Sequence, residues 1–136
     1  MSNKSTGNSF ENEFAQKLSQ YGFWVYVTIN KAGGQPADVI AAKDSRAYLI
    51  DCKVCEKDIF PLSRIEENQY NAMMLFYKRN NDRGCFFAMK FSDDSVYLCP
   101  SSALFLAAEN GIKSLSREEI VHRGYGIPLS DWLGDN

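Results

Sequence analysis

Asp38, Asp51 and Lys53 are the residues of this chain whose types and spacing can do chemistry together. Paired carboxylates offer the hard oxygens that suit Mg²⁺ or Mn²⁺, and a lysine beside them can position or deprotonate a water and touch a phosphate. The spacing brings them together if residues 37–42 and 47–54 are two strands around the turn Asp44-Ser45. Opposed residues then have numbers summing to 89, so that Lys43 faces Arg46 and Asp38 faces Asp51, roughly 5 Å apart on one side of the sheet. Lys53, two residues beyond Asp51, points to the same side. Two carboxylates so placed repel one another unless a cation sits between them.

The hairpin is otherwise apolar on both sides: Ile40, Ala42, Ala47 and Leu49 on the aspartate side, Val39, Ala41, Tyr48, Ile50 and Cys52 on the other. That pattern predicts central strands covered on both faces.

The elements around the hairpin follow from periodicity and punctuation. Residues 8–21 read as a helix, with Phe10, Phe14, Leu18 and Tyr21 at helical spacing and Gly22 as the stop. Residues 23–29 are aromatic and β-branched and read as a strand. A capping box at Ser63 and Glu66 predicts a helix to about Lys78. Residues 85–91 and 96–98 form a second strand pair, and Pro100-Ser-Ser opens a short helix through Ala108. The order is α-β-β-β-α-β-β-α, a sheet with helices packed on it. A second box, Ser116 and Glu119, opens a last short helix ending near Gly124.

The first helix carries two candidate acids. Glu11 flanks the centre of the apolar stripe by ~65° and Glu13 by ~95° on the other side, which brings Glu11 nearer the sheet. Lys31, Gly33 and Gly34, in the loop before Asp38, either let backbone amides approach a phosphate or form a plain surface loop. Arg64 is one of several cations suited to phosphate contacts, each also at home as a solvated charge.

The bulk properties set limits. The chain has 136 residues and reads as one domain over 1–136, with a flexible lead at 1–7. Its formal charge of −2 runs against a simple nucleic-acid binder, although a near-neutral total can hide a basic groove beside an acidic site. No apolar run approaches the roughly 20 residues of a membrane span, and the polar N-terminus lacks a secretory segment, so a cytoplasmic location is expected. Cys52, Cys55, Cys85 and Cys99 are expected buried and reduced. One histidine, His122, excludes histidine-rich nuclease motifs.

Pro36-Ala37-Asp38 followed by Asp51-Cys52-Lys53 resembles the signature of the PD-(D/E)XK nucleases. The segment Gly7-Asn-Ser-Phe-Glu11 resembles the glutamate helix of archaeal Hjc-like Holliday junction resolvases. Phe60 to Gln69, with the strand pair from Gly84 to Pro100, resembles the RecU-type resolvases. The resemblance spans about Gly7 to Phe105. It implies a restriction-endonuclease-like α/β fold with a central mixed sheet flanked by helices. It also implies a structure-selective DNA endonuclease that hydrolyses phosphodiester bonds, acts on four-way junctions and works as a homodimer. By the same resemblance Asp38 and Asp51 are the main metal ligands, the Cys52 carbonyl is a further one, and Glu11 joins directly or through water. Lys53 handles the water, and Gln69 hydrogen-bonds near the site. RecU-type enzymes carry an inserted stalk between the glutamate helix and the first aspartate, and residues 23–37 leave no room for one here. A flap, repair or restriction endonuclease is the alternative enzyme, and a non-catalytic DNA-binding protein of the same fold the alternative class.

Overall fold

The chain folds so that one hairpin projects its charged end between two apolar layers. The computed structural model describes residues 3–28, 37–79 and 84–134. Helix α1 (Asn3–Gln20) leads into β1 (Trp24–Val27), and β2 (Val39–Lys43) and β3 (Arg46–Cys55) form the hairpin. Then come β4 (Ile59–Pro61), a 3-10 turn at Leu62–Arg64, α2 (Glu67–Arg79), β5 (Cys85–Phe91), β6 (Val96–Pro100) and α3 (Ser101–Glu109). The chain closes with β7 (Ser114–Ser116), α4 (Arg117–His122), β8 (Ile127–Pro128) and α5 (Leu129–Gly134).

Six strands form one mixed sheet in the order β1-β2-β3-β5-β6-β8, and β4 pairs with β7 apart from it. Only β3 and β5 run parallel, joined by the crossover through α2. The hairpin has the expected register, from Val39 opposite Ile50 to Lys43 opposite Arg46. Asp44 and Ser45 both take positive φ, 52° and 66°, which matches the twist of a two-residue hairpin turn.

Each face of the sheet has its own core. Phe10, Phe14 and Leu18 of α1 and Trp132 and Leu133 of α5 pack on Val39, Ala41, Ile50, Cys52 and Ala88. On the other face Met73, Leu104, Phe60 and Leu115 pack on Leu49, Phe87 and Met89. The four cysteines are free and buried. Cys52 belongs to the α1 core and Cys55, Cys85 and Cys99 to the opposite one, so the sheet separates the C-x-x-C pair. Burial raises all four thiols above their ordinary range, Cys85 and Cys99 to about 12, and keeps them neutral.

Several expectations are corrected. The box residues Ser63 and Glu66 do not open α2: Ser63 lies in the 3-10 turn, extended Ile65 (φ −76°, ψ 115°) interrupts the chain, and α2 starts at Glu67. Tyr21 follows α1 in a turn and is exposed instead of completing the apolar stripe. The strand expected over 23–29 is β1, four residues long, and Ile29 lies outside the described residues. Sequence periodicity did not distinguish β4, β7, β8 or α5. The hairpin is central as expected but not covered throughout on both faces: Ile40, Ala42 and Ala47 are half-buried, and on the edge strand β1 beside it Trp24 and Tyr26 are 62% and 47% exposed.

Candidate active site

Asp38 stands where the β2–β3 ladder breaks. The expected ladder pair of Asp38 with Asp51 does not form as such. Instead the Asp38 N–H donates to the carbonyl of Ile50, the residue already paired with Val39, at 3.1 Å. Two residues on one strand therefore meet one on the other, which is a bulge, a device that re-aims a side chain. The cause lies in the hydrogen bonds. A continued register would bring the Cys52 N–H to Ala37, but that N–H donates to Asp38 Oδ2 at 2.8 Å. The Ala37 carbonyl accepts from Thr28 Oγ1 at 2.7 Å instead.

The two aspartates still meet. Asp38 and Asp51 are both buried, and their carboxyls are in hydrogen-bond contact. Burial first, and then the charge of Asp38, raises the Asp51 carboxyl well above its ordinary range, while Lys53 pulls it back. Lys53 Nζ stands 3.1 Å from Asp51 Oδ2. With both acids ionised, no donor stands between the two carboxyls. Asp51 Oδ2 is then buried without a hydrogen bond. A shared proton or a cation satisfies such an atom.

Gln69 holds the other oxygen. It sits at the third position of α2, where its Oε1 accepts the Glu66 N–H at 3.1 Å, and its Nε2 donates to Asp51 Oδ1 at 2.8 Å. The first bond fixes the orientation of the amide, so the NH₂ end must face the carboxylate. A glutamine three residues after the helix-capping position is the sequence signal for this, and the Ser63 box masked it.

Glu11 reaches the cluster from the opposite face. Its helix packs on the Cys52 side of the sheet, and its carboxyl hydrogen-bonds Asp38 where the ladder ends. Burial and the charge of Asp38 push Glu11 up to about 7. Glu13, the rejected alternative, is exposed and pairs with Lys90 at 3.4 Å.

The donor set consists of carboxylate oxygens, one of them an orphan, and this suits a hard cation. Among the described residues no group of three or more histidine, cysteine or carboxylate side chains is arranged to hold a metal as it stands. The acids are turned onto one another instead, Glu11 and Asp51 each bonded to Asp38. An ion would need those mutual contacts opened and the carboxyls deprotonated. Cys52 contributes its N–H to Asp38, and its side chain points into the α1 core. Arg64 is exposed, donates to the Val54 carbonyl at 3.0 Å and lies over the Phe60 ring, past Lys53 along β3. Lys31, Gly33 and Gly34 lie outside the described residues.

Comparison with known proteins gives this geometry a context. The family described as Recombination protein U matches residues 37–132, which is more than half of the chain. The chain belongs to that family. The matched stretch holds Asp38, Asp51, Lys53, Gln69 and Arg64, while Glu11 and β1 precede it. The fold is similar to that of a solved structure described as Hjc of Archaeoglobus fulgidus, a Holliday junction resolvase from an archaeal hyperthermophile. The TM-score is 0.66 at 17% identity, over 93% of this chain and 99% of that one. At that identity the likeness speaks for the fold, which is the restriction-endonuclease-like one. Among curated proteins none matches the sequence.

Proposed function

We propose that this member of the Recombination protein U family is a metal-dependent endonuclease that resolves four-way DNA junctions, with Glu11, Asp38, Asp51, Lys53 and Gln69 as its working residues. The observation that carries the reading is the contact of the Asp38 and Asp51 carboxyls beside Lys53, with one buried carboxylate oxygen left for a cation. The family match and the fold likeness support the same reading.

Each residue has a distinct task. Asp38 and Asp51 would hold the ion, Mg²⁺ or Mn²⁺, and Glu11 would complete the set. The bound ion supplies Lewis-acid stabilisation of charge on the phosphate and acidifies a water. The Cys52 N–H and the Gln69 amide each hold one oxygen of an aspartate, which would limit how far the carboxylates turn as their mutual contact opens for an ion. Lys53, almost buried, keeps its ammonium 3.1 Å from Asp51 Oδ2, from where it would donate to a phosphate oxygen or to the attacking water. Burial and Asp38 push Glu11 up to about 7, so near neutral pH it would hold a proton that it must lose to join an ion. Arg64 contacts a neighbouring phosphate.

Resolution of a junction requires two symmetric cuts, which a two-fold homodimer provides. Residues 1–136 act as one nuclease domain. No described helix is long and apolar enough to cross a membrane, and we place the enzyme in the cytoplasm with the DNA it cuts.

The test is cleavage of a four-way junction, a flap and a plain duplex with Mg²⁺, by the natural chain and by Asp51→Ala. Junction cleavage that the variant loses is the expected result. Equal cleavage by the variant would rule out the site, and cleavage of the flap alone would move the substrate.

A further inference from the structure

The catalytic side of the sheet does not end at the acids. In the paired register Tyr26 lies beside Ile40 and Trp24 beside Ala42, and directly paired residues share a face. Ile40 packs with the Leu49 core and Val25 with the opposite one, so Trp24 and Tyr26 stand on the face of Asp51 and Lys53. Both rings are largely exposed, and Ile40, Ala42 and Ala47 beside them are only partly covered. Apart from the catalytic aspartates, this face of β1, β2 and β3 carries no carboxylate.

The rings are also held in place relative to the site. Thr28 donates its N–H to the Asp38 carbonyl at 2.9 Å and its hydroxyl to the Ala37 carbonyl. These bonds tie β1 to the residue that re-aims Asp38. At about 3.4 Å per residue, Tyr26 stands roughly 7 Å and Trp24 roughly 14 Å along the sheet from the Asp38 row.

We propose that Trp24 and Tyr26 form a stacking platform for unpaired nucleobases of the strand being cut. The inference rests on the nuclease reading above, because the site fixes where the strand must lie. A paired base inside a duplex has both faces covered by its neighbours, whereas a base at a branch point can turn one face to an aromatic ring, and stacking of this kind is indifferent to sequence. The platform therefore selects branched or frayed DNA over plain duplex. It lies ahead of the stretch matched by the family.

The test uses the full chain with Ca²⁺ in place of Mg²⁺, a four-way junction carrying 2-aminopurine beside the branch point, and a duplex of equal length. For Trp24→Ala with Tyr26→Ala, junction affinity falls about 10- to 100-fold. Duplex affinity stays within about twofold, as for surface substitutions away from a contact. Trp24→Phe with Tyr26→Phe keeps junction affinity, because phenyl rings still stack, and an unchanged melting temperature shows that the variants fold. The natural chain quenches the 2-aminopurine, and the alanine variant does not.

Unchanged junction affinity in the alanine variant overturns the proposal, as does an equal loss on junction and duplex. A dimer that becomes a monomer in light scattering also overturns it, since the face then belongs to a second copy of the chain. Cleavage with Mg²⁺ is scored separately. A natural chain that quenches but cuts nothing refutes the nuclease reading alone, and one that cuts while the alanine variant binds normally refutes the platform alone.

Discussion

Gln69 Nε2 donates to Asp51 Oδ1 at 2.8 Å in the interior of the protein, and the far end of the same amide is fixed by the Glu66 N–H. The glutamine is therefore a positioning residue. It holds one oxygen of Asp51 and leaves the other facing Asp38 and Lys53.

Gln69→Leu should leave a buried carboxylate oxygen unpaired, at a cost of about 1–3 kcal/mol. Urea unfolding checks this. Loss of the outer partner of a metal-binding carboxylate should also lower Mn²⁺ affinity about 10- to 100-fold. Stability lost with Mn²⁺ affinity intact would mean that the amide serves the fold only.

Asp51→Asn makes an unusual prediction. Burial and the neighbouring Asp38 charge disfavour the ionised carboxylate, so a neutral amide of the same shape should raise the melting temperature of the metal-free protein. The same change should abolish the stabilisation that added Mn²⁺ gives and reduce cleavage at least about 100-fold. Thermal scans with and without metal measure both. A lower metal-free melting temperature would contradict the crowding argument.

The acidity of Glu11 sets the pH dependence. Its carboxyl moves from an ordinary 4.5 to about 7 in the folded chain, so the folded state holds its proton more tightly than the unfolded state. The stabilisation is complete below about pH 4.5 and is lost as pH rises toward 7. Asp51 shifts in the same direction. The metal-free protein should therefore lose stability as pH rises from 5 to 7. Divalent-ion affinity should rise across the same range. Melting curves against pH measure the first effect, and Glu11→Gln should flatten them.

Arg64→Ala should weaken junction and duplex binding alike and lower the salt slope by about 1, as loss of a phosphate contact does. Binding titrations over a range of salt concentrations decide this. A loss confined to the junction would place Arg64 at the branch point.

The hairpin was legible because its information is local: two residues in a turn, alternation on either side, and a register that follows from both. The meeting of Asp38, Asp51 and Lys53 followed from it. The bulge at Asp38 did not, since it depends on the Cys52 N–H choosing a side chain over a backbone carbonyl. The pairing of β4 with β7 joins three-residue segments more than fifty positions apart, and no periodicity develops over so short a run. The open aromatic face of β1 was hidden for another reason. Trp24 and Tyr26 read as strand formers whether or not another element covers them, and only the sheet order shows that none of the described ones does. Gln69 was legible as a member of the site by resemblance, while the bond that orients it came from the true start of α2.

Calorimetric titration of the metal-free chain with Mn²⁺ near pH 6, repeated in two buffers of different ionisation enthalpy, tests the central claim most directly. Glu11 and Asp51, whose carboxyls are raised by burial and the Asp38 charge, should lose protons as the ion binds, and Asp51→Asn should bind none at this site. Binding without proton release, or equal binding by the variant, would contradict the account.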